Sequence, residues 1–261
     1  MILAIAQSIT ASFDRRFYPD AASNWDDRRF AQLVRGQLKE SDVVLDFGAG
    51  RGKSDLFNFR GQAAKVIGVD IDSDIEQNPY LDECHILPPD GKIPLADESI
   101  DVAYSSNVLE HVQNPRVVLK EIGRVLKSAG VFVVKTPNRN HYVAMGARCT
   151  PLAFHKWFNK KRGREEQDTF PTCYRCNSKR QIEEALQDSG LELHELQYWE
   201  GRPEYTRVFP LMYVLGIGYE RLVNSTERLA PLRAVLVVTL KKTMRSAGAS
   251  NSKVSQPGAV T

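Results

Sequence analysis

The chain has 261 residues, a formal net charge of +3 and 42% hydrophobic residues, which suits one α/β domain with an insertion or a C-terminal extension. So small a net charge argues against a dedicated nucleic-acid binder, and no run approaches the roughly 18 apolar residues of a transmembrane helix. The apolar first residues follow no positive charge, so we read them as mature protein and not as a signal peptide, and we expect a cytoplasmic location.

The predicted elements begin with a helical N-terminal cover over residues 1–40, in which Trp25, Phe30 and Val34 are apolar among charged neighbours. From residue 43 onwards, strand and helix patterns alternate, which predicts a parallel sheet with helices on both faces. The predicted strands lie near residues 43–47, 65–70, 84–87, 100–106 and 130–136.

The clearest predicted helix spans about residues 115–127. Asn114 is a suitable N-cap, Pro115 fits the first helical position, and Gly130 lies just beyond the expected end. Its apolar residues recur at helical spacing, so one face of this helix should pack on the sheet.

After Pro137 the pattern changes, and residues 138–177 carry aromatic, basic and polar residues without a long apolar period. Such a stretch is typical of a lid or a binding insertion, which we extend on the acceptor side to residues 200–225. It holds a basic cluster beside Trp157 and Phe158, formed by Lys156, Lys160, Lys161, Arg162 and Arg164. We interpret this cluster as a solvated face, with a membrane surface or an acidic or phosphate-bearing acceptor as the alternative.

The C-terminal part predicts a helix at 178–189, a strand at 191–199 and a last strand at 234–240. The apolar segment 206–223 is interpreted as a core helix, with a dimer surface or a lid over an apolar acceptor as alternatives. A tail at 246–261 should be disordered, which leaves residues 1–245 as a single domain.

Four cysteines occur at positions 84, 149, 173 and 176. Cys173 and Cys176 have the spacing of a metal knuckle, which His141, Cys149 and His155 are able to complete. No second C-x-x-C pair exists, so we predict no metal site and interpret these residues as ordinary thiols.

The most specific pattern is an apolar run, Val43–Phe47, that breaks into Gly48, Gly50 and Gly52, followed one strand later by Asp70. It predicts a buried strand, a tight glycine turn and a helix start, where backbone N–H groups can approach a ligand closely. A carboxylate at the end of the second strand can accept hydrogen bonds from both hydroxyls of a ribose. Dinucleotides and S-adenosylmethionine both use this arrangement, but Lys53 stands where the dinucleotide fingerprint needs its third glycine.

Further motifs in order and spacing extend this pattern over roughly residues 40–140. They are Val44–Gly52, Gly68–Ile71, Ile93–Val102, Ser106–Val112, Pro115–Lys127 and Val131–Pro137. Together they resemble the successive motifs of class I S-adenosylmethionine-dependent methyltransferases. The resemblance implies a Rossmann-like, seven-stranded, mostly parallel α/β sheet with helices on both faces, an antiparallel last strand, and a lid after strand five.

More loosely, residues 137–142, 163–171 and 200–205 are similar to bacterial methyltransferases of surface-polysaccharide and other secondary biosynthesis. The family resemblance implies a role for each residue of the cofactor site. Asp46 would face the amino group of the cofactor, Asp70 would bind the ribose hydroxyls, and Ile71 would pack on the adenine. The remaining positions implied are Gly48, Ala49, Gly50 and Gly52 under the methionine portion, Asp90 at the adenine amino group, and Asn107 near the sulfonium. The alternative interpretation of Asp90 is an ordinary turn residue.

Three residues are the catalytic candidates. His141 is the preferred general base if the acceptor is a hydroxyl, and Tyr142 lies beside it. His111 has suitable chemistry, but packing or hydrogen bonding is the favoured role. His155, Asp168 and Tyr174 are further candidates for the acceptor site.

These observations predict methyl transfer from S-adenosylmethionine to a small-molecule, glycan or lipid-linked acceptor, with a hydroxyl oxygen as the expected target. We expect no nucleic-acid partner and no stable membrane span, and a homodimer is compatible with the sequence. One alternative is a nucleotide-sugar or nicotinamide oxidoreductase. The sequence lacks the Tyr-x-x-x-Lys pair that such an enzyme is expected to carry near strands four and five. An RNA methyltransferase should be more basic, and a non-catalytic S-adenosylmethionine-binding protein is the third alternative.

Overall fold

The computed structural model describes residues 2–21, 25–149, 172–207 and 209–243. The basic cluster, Trp157, Phe158, His155, Asp168 and the tail at 246–261 lie outside the described residues. Six α-helices are present in the described part of the chain: α1 (Ile2–Phe17), α2 (Trp25–Arg35), α3 (Pro115–Val125), α4 (Tyr142–Cys149), α5 (Lys179–Ala185) and α6 (Pro210–Asn224). No helix among these residues has the length and apolar character needed to cross a membrane.

Seven strands form one sheet in the order β3-β2-β1-β4-β5-β7-β6. Their bounds are β1 (Val43–Phe47), β2 (Lys65–Asp70), β3 (Glu83–Ile86), β4 (Ile100–Ser106), β5 (Leu126–Pro137), β6 (Leu191–Trp199) and β7 (Val235–Lys242). The strands β1 to β5 pair in parallel, and β7 lies antiparallel to both β5 and β6. The carboxyl ends of β1 to β6 therefore meet at one edge of the sheet, and the predicted Rossmann-like class is confirmed.

Apolar layers cover both faces of this sheet. On one face, Phe30 and Val34 of α2 pack with Val44, Val66 and Tyr104. On the other face, α3 and α5 bury their apolar sides in a larger cluster with alternate residues of the same strands. This alternation is what a sheet that is buried on both sides requires.

The prediction of a helix after the glycine turn is wrong. Residues 48–64 contain only a 3-10 turn, Asp55–Phe57, in which the Ser54 side chain accepts from the Leu56 N–H. The segment is interrupted by glycine at positions 52 and 61, and its Phe57 and Phe59 rings pack against Tyr104 beneath the sheet. Packing of these two rings thus takes the place of an α-helical crossover.

The boundary between α3 and β5 also differs from the prediction. The helix ends at Val125, and Leu126 begins a strand that pairs with Ile100. Pro115 occupies the first turn as expected, but the side chain of Asn114 makes no capping hydrogen bond. Gly130 lies inside β5, and pairing with β4 decides this boundary more strongly than local helix signals do.

Candidate active site

The three glycines after β1 adopt left-handed backbone angles, with φ of +84° at Gly48, +51° at Gly50 and +69° at Gly52. The Gly48 N–H donates to the Val69 carbonyl at 2.7 Å, which closes the turn against β2. A Cβ at Gly48 would lie 2.2 Å from Val108, whereas a Cβ at Gly50 would meet nothing within 4 Å. Gly48 is therefore required for packing, and Gly50 leaves open space above an exposed backbone.

Asp70 ends β2 beside this turn. Its Oδ2 accepts from the Gly50 N–H at 2.8 Å, and its Oδ1 accepts from the Asp72 N–H at 3.0 Å. A carboxylate oxygen has two lone pairs, so each one keeps capacity for a ligand hydroxyl. The next side chain, Ile71, is 66% exposed and offers an apolar surface at the same place.

Asn78 holds the glycine turn from the opposite side, and sequence reasoning did not find it. Its Nδ2 donates to the carbonyls of Ala49 at 3.2 Å and Gly50 at 3.1 Å, while its Oδ1 accepts from the Tyr80 N–H. A Cβ at Gly52 would lie 2.3 Å from that Oδ1. The only signal in the sequence is an asparagine in a loop, which is too common to single out.

Asp46 is buried at the end of β1, where the Tyr104 hydroxyl donates to its Oδ2 at 2.7 Å. Burial raises the pKa of Asp46 to about 7, the hydrogen bond from Tyr104 acts in the opposite direction, and the charge of Asp70 adds to the rise. Tyr104 is stacked on Phe57 and has Phe59 edge-on at 5.3 Å. An aromatic cluster therefore fixes the partner of this carboxyl group.

Two further cofactor candidates follow the neighbouring strands. Asn107 comes directly after β4, is exposed and has a φ of +57°. Asp90 lies in an exposed turn after β3, where its Oδ1 accepts from the Lys92 N–H at 3.0 Å. Asp46, the glycine turn, Asp70 and Asn107 thus lie at the ends of three adjacent strands, and Asp90 follows the edge strand beside them.

A second group of side chains forms beyond β5. His141 is only 5% exposed, and its Nε2 is buried without a hydrogen-bond partner among the described residues. That nitrogen lies 3.5 Å from Oε2 of Glu200, the residue that follows β6. Burial lowers the pKa of His141 to about 4 and raises the pKa of Glu200 to about 7. Both shifts favour the uncharged forms.

The surroundings of this histidine are aromatic. The Tyr142 ring lies 4.2 Å from the His141 ring, and Tyr219 of α6 lies edge-on to both rings. The Tyr219 hydroxyl donates to the Leu232 carbonyl at 2.6 Å. Glu200 is fixed by the backbone N–H groups of Gly201 and Ala234. His141 and Tyr142 are therefore brought together with two residues, Glu200 and Tyr219, that the sequence analysis did not assign.

His111 belongs to a different group of residues. It lies 3.9 Å from Oε1 of Glu110, a buried carboxyl group whose pKa is raised by burial. Thr136 donates to Glu110 at 3.0 Å, and Asn177 donates to Thr136 at 2.6 Å. This network joins residues 172–177 to the end of β5, and Tyr174 enters it through its backbone N–H to the Glu110 carbonyl.

Cys84, Cys173 and Cys176 are free thiols. Cys176 is buried, which raises the pKa of its thiol to about 12, and Cys173 lies 3.6 Å from the His111 carbonyl. Within the described ranges, no group of three or more His, Cys, Asp or Glu residues has a metal-binding arrangement.

Comparison with known proteins adds a family to this geometry. A family model described as a methyltransferase domain matches residues 19–196. The sterol 4-C-methyltransferase of Caenorhabditis elegans is 35% identical over 126 residues, which cover 41% of this chain and 37% of that protein. A probable S-adenosylmethionine-dependent methyltransferase of Mycolicibacterium smegmatis is 36% identical and covers 43% of this chain and 44% of its own length.

Among solved structures, a methyltransferase in complex with the Haloferax volcanii Trm112 activator superposes with a TM-score of 0.55 at 20% identity. The match covers 94% of this chain and 97% of that chain, and at this identity it shows the fold alone. The present chain spans less than half the length of the two curated relatives.

Proposed function

Because the chain belongs to the methyltransferase domain family, an S-adenosylmethionine-dependent family, we propose that it transfers the methyl group of S-adenosylmethionine to a hydroxyl oxygen of a small-molecule or glycan acceptor. Membership in this family counts against the nicotinamide oxidoreductase alternative. Fold and family do not select an acceptor, so the acceptor class rests on the residues beyond β5.

The observation that carries the proposal is the hydrogen bond that the Gly50 N–H donates to the Asp70 carboxylate at the open side of the glycine turn. The residues at this edge fit S-adenosylmethionine. Asp70 keeps acceptor capacity for a ribose diol, Ile71 offers an apolar surface for an adenine, and Asp46 provides a carboxyl group for an amino group. The space above Gly50, which a Cβ would begin to fill, is open.

When bound, the cofactor would supply a methyl group on a sulfonium, and transfer of this methyl breaks its bond to sulfur and leaves a neutral thioether. The protein therefore has to position the two substrates, exclude water and accept the proton of the hydroxyl. His141 is our candidate for that base, because burial keeps its imidazole unprotonated at physiological pH, and a neighbouring negative charge would offset the weaker basicity that the lowered pKa brings. In its ionised form Glu200, whose Oε2 lies 3.5 Å from the His141 Nε2, would stabilise the imidazolium that results. We propose Tyr142 as an acceptor contact and His111 as a residue that supports the Glu110 network.

The test begins with calorimetric titration of S-adenosylmethionine, S-adenosylhomocysteine and NAD. We expect micromolar binding of the first two and its loss in Asp70→Ala. Asp97→Asn is the matched control, because Asp97 is an exposed carboxylate that pairs with Arg124 of α3. Binding of NAD alone would overturn the proposal.

The acceptor is then sought by measuring S-adenosylhomocysteine release with panels of hydroxyl and amine compounds. For a hydroxyl acceptor, His141→Gln should lower kcat by about 100-fold or more while the affinity for S-adenosylmethionine is unchanged. Turnover with amine acceptors only, or an unaltered kcat in this variant, contradicts the assignment of the base and of the oxygen.

A further inference from the structure

The outer face of α6 is apolar and exposed, contrary to the prediction of a core helix. Its inner side buries Tyr213 and Ile217. Large apolar side chains that are 43–72% exposed cover the outer side and the residue before the helix: Phe209, Leu211, Met212, Val214, Leu215 and Leu222. Leu211, Leu215 and Leu222 are four and seven residues apart, so they form one stripe along the helix. A continuous apolar surface of this kind marks an interaction site.

The charges around this stripe are mainly positive. The structure describes all of α6, and its one acidic residue, Glu220, is buried and accepts from the Tyr18 hydroxyl at 2.9 Å. Arg221, with a side chain that is 59% exposed, is the cation of this helix; its Nε lies 3.3 Å from the Glu220 carboxylate, and its guanidinium also donates to the carbonyl of Phe17. The stripe therefore carries no exposed negative charge of its own.

The last turn of α1 adds to this positive border. Arg15 and Arg16 are exposed there, and Phe17 is 40% exposed beside Arg221. The acids at this junction are Asp14, which is paired with Arg207 and accepts from the Tyr213 hydroxyl, Asp20, and Glu227, which is paired with Arg233 at 2.8 Å. Arginines thus predominate where α1 and α6 meet.

We propose that the outer face of α6, with the end of α1, docks on the interface of an anionic lipid bilayer. An amphipathic helix that combines an apolar face with flanking cations binds such surfaces in the plane of the headgroups. With 15 residues, α6 is shorter than the roughly 20 residues that a span needs. A second copy of the chain is the poorer occupant, because a symmetric pairing of this face would bring two sets of arginines together.

Docking has a consequence for the acceptor site. Tyr219 lies on α6 between Leu215 and Leu222, and its ring contacts Tyr142 and His141. A bilayer at the apolar face would therefore lie next to the candidate base. The position of the bilayer selects a lipid-linked hydroxyl compound as the acceptor class. This choice of acceptor rests on the proposed function, whereas the docking on a bilayer does not depend on it.

The experiment is co-sedimentation of the full chain with vesicles of phosphatidylcholine, with or without phosphatidylglycerol. The test variants are Leu211→Ser/Leu215→Ser, which removes the apolar stripe, and Arg15→Gln/Arg16→Gln, which removes the cations. Val117→Ser is the matched control, because Val117 is an exposed apolar residue of α3. All these side chains are exposed, so the fold is expected to be retained.

We expect binding to phosphatidylglycerol vesicles that weakens with added salt. The serine variant should lose at least tenfold in affinity, the glutamine variant should lose affinity for the anionic vesicles, and the control should match the unmodified chain. Absence of vesicle binding, equal binding to neutral vesicles, or a dimer in sedimentation velocity that the serine variant abolishes would each overturn the proposal. Calorimetry with S-adenosylmethionine on the same variants separates this outcome from a failure of the proposed function, since the docking face lies outside the cofactor site.

Discussion

Gly50 offers a direct test of the proposed cofactor site at the scale of one residue. Gly50 and Gly61 both have positive φ, and a Cβ at either position would meet nothing within 4 Å. Alanine at each should therefore lower the free energy of unfolding by a similar amount, about 1 kcal/mol, through backbone strain alone. Only Gly50→Ala places its methyl group in the space above the turn, so only this variant should lose S-adenosylmethionine affinity, by tenfold or more.

Thermal unfolding and calorimetry on the two variants check this expectation. Gly61→Ala controls for the backbone cost because it lies in the turn before β2, away from Asp70. If both variants bind the cofactor equally well, the glycine turn is not the site of the methionine portion.

A pH dependence follows from the buried carboxyl group of Asp46, whose pKa is about 7 when folded and 3.8 in the unfolded reference. Between these values the folded chain holds a proton that the unfolded chain has released. The stability that this group contributes is therefore present at low pH and is lost as pH rises towards 7. The Asp46→Asn variant retains an oxygen that accepts from Tyr104 but does not titrate. Its free energy of unfolding, relative to that of the unmodified chain, should therefore rise with pH by about 2–4 kcal/mol and level off above pH 7.

Urea unfolding of both proteins from pH 4 to pH 8 measures this difference. A difference that does not vary with pH would mean that Asp46 titrates as it does in water. The control is Asp97→Asn, in an exposed carboxyl group whose pKa is lowered by its hydrogen bond to Arg124.

Sequence reasoning singled out some residues of the candidate site and missed others for a physical reason. The glycines and Asp70 are recognisable because a strand, a turn and the next strand place them close together along the chain. Tyr104 acts through Asp46, which is 58 positions away in the chain. Glu200 acts through His141, which is 59 positions away. Only the folded sheet brings such pairs together, so no local pattern reveals them.

At the scale of elements, Lys135 connects a helix to the sheet. Its side chain is fully buried on β5, and its Nζ contacts Asp26 at 2.9 Å and also Asp27, both at the start of α2. The two aspartates are about 30% exposed and keep contact with water. The ammonium group has no contact with water. An unpaired charge at Lys135 would therefore cost more free energy than an unpaired charge at either aspartate.

The two ways of breaking this connection should therefore differ. Asp26→Asn/Asp27→Asn leaves a buried ammonium group without the two carboxylates that contact it and should cost about 3–5 kcal/mol. Lys135→Met removes the buried charge itself and should cost less than about 2 kcal/mol, because the partly hydrated aspartates tolerate its loss. Urea midpoints of the two variants give the comparison, and equal losses would show that the ion pair itself stabilises the junction.

Element boundaries were less predictable than element types. The apolar periods identified the seven strands, because alternation and buried runs are local properties. The crossovers were not local in this sense, because the 3-10 segment that ends at Phe57 is held by packing of the Phe57 and Phe59 rings on Tyr104, a residue far along the chain. Likewise, β5 starts at Leu126 because Ile100 is there to pair with it.

At the scale of the whole molecule, the topology follows from the order of the motifs. Resemblance to a family implied an antiparallel last strand, and β7 is antiparallel to both of its neighbours. The exposed face of α6 was not predictable, because an apolar period of 15 residues reads the same whether its outer side meets protein or solvent.

The position of β7 also constrains the order in which the sheet can fold during synthesis. It lies between β5 and β6, and among the described residues it is the one strand with which β6 pairs. During synthesis, β5 therefore has one bare edge and β6 has no partner until residues up to about 242 have left the ribosome. The half of the sheet that holds the glycine turn can form while it is being translated, whereas the half that holds Glu200 can be completed only afterwards.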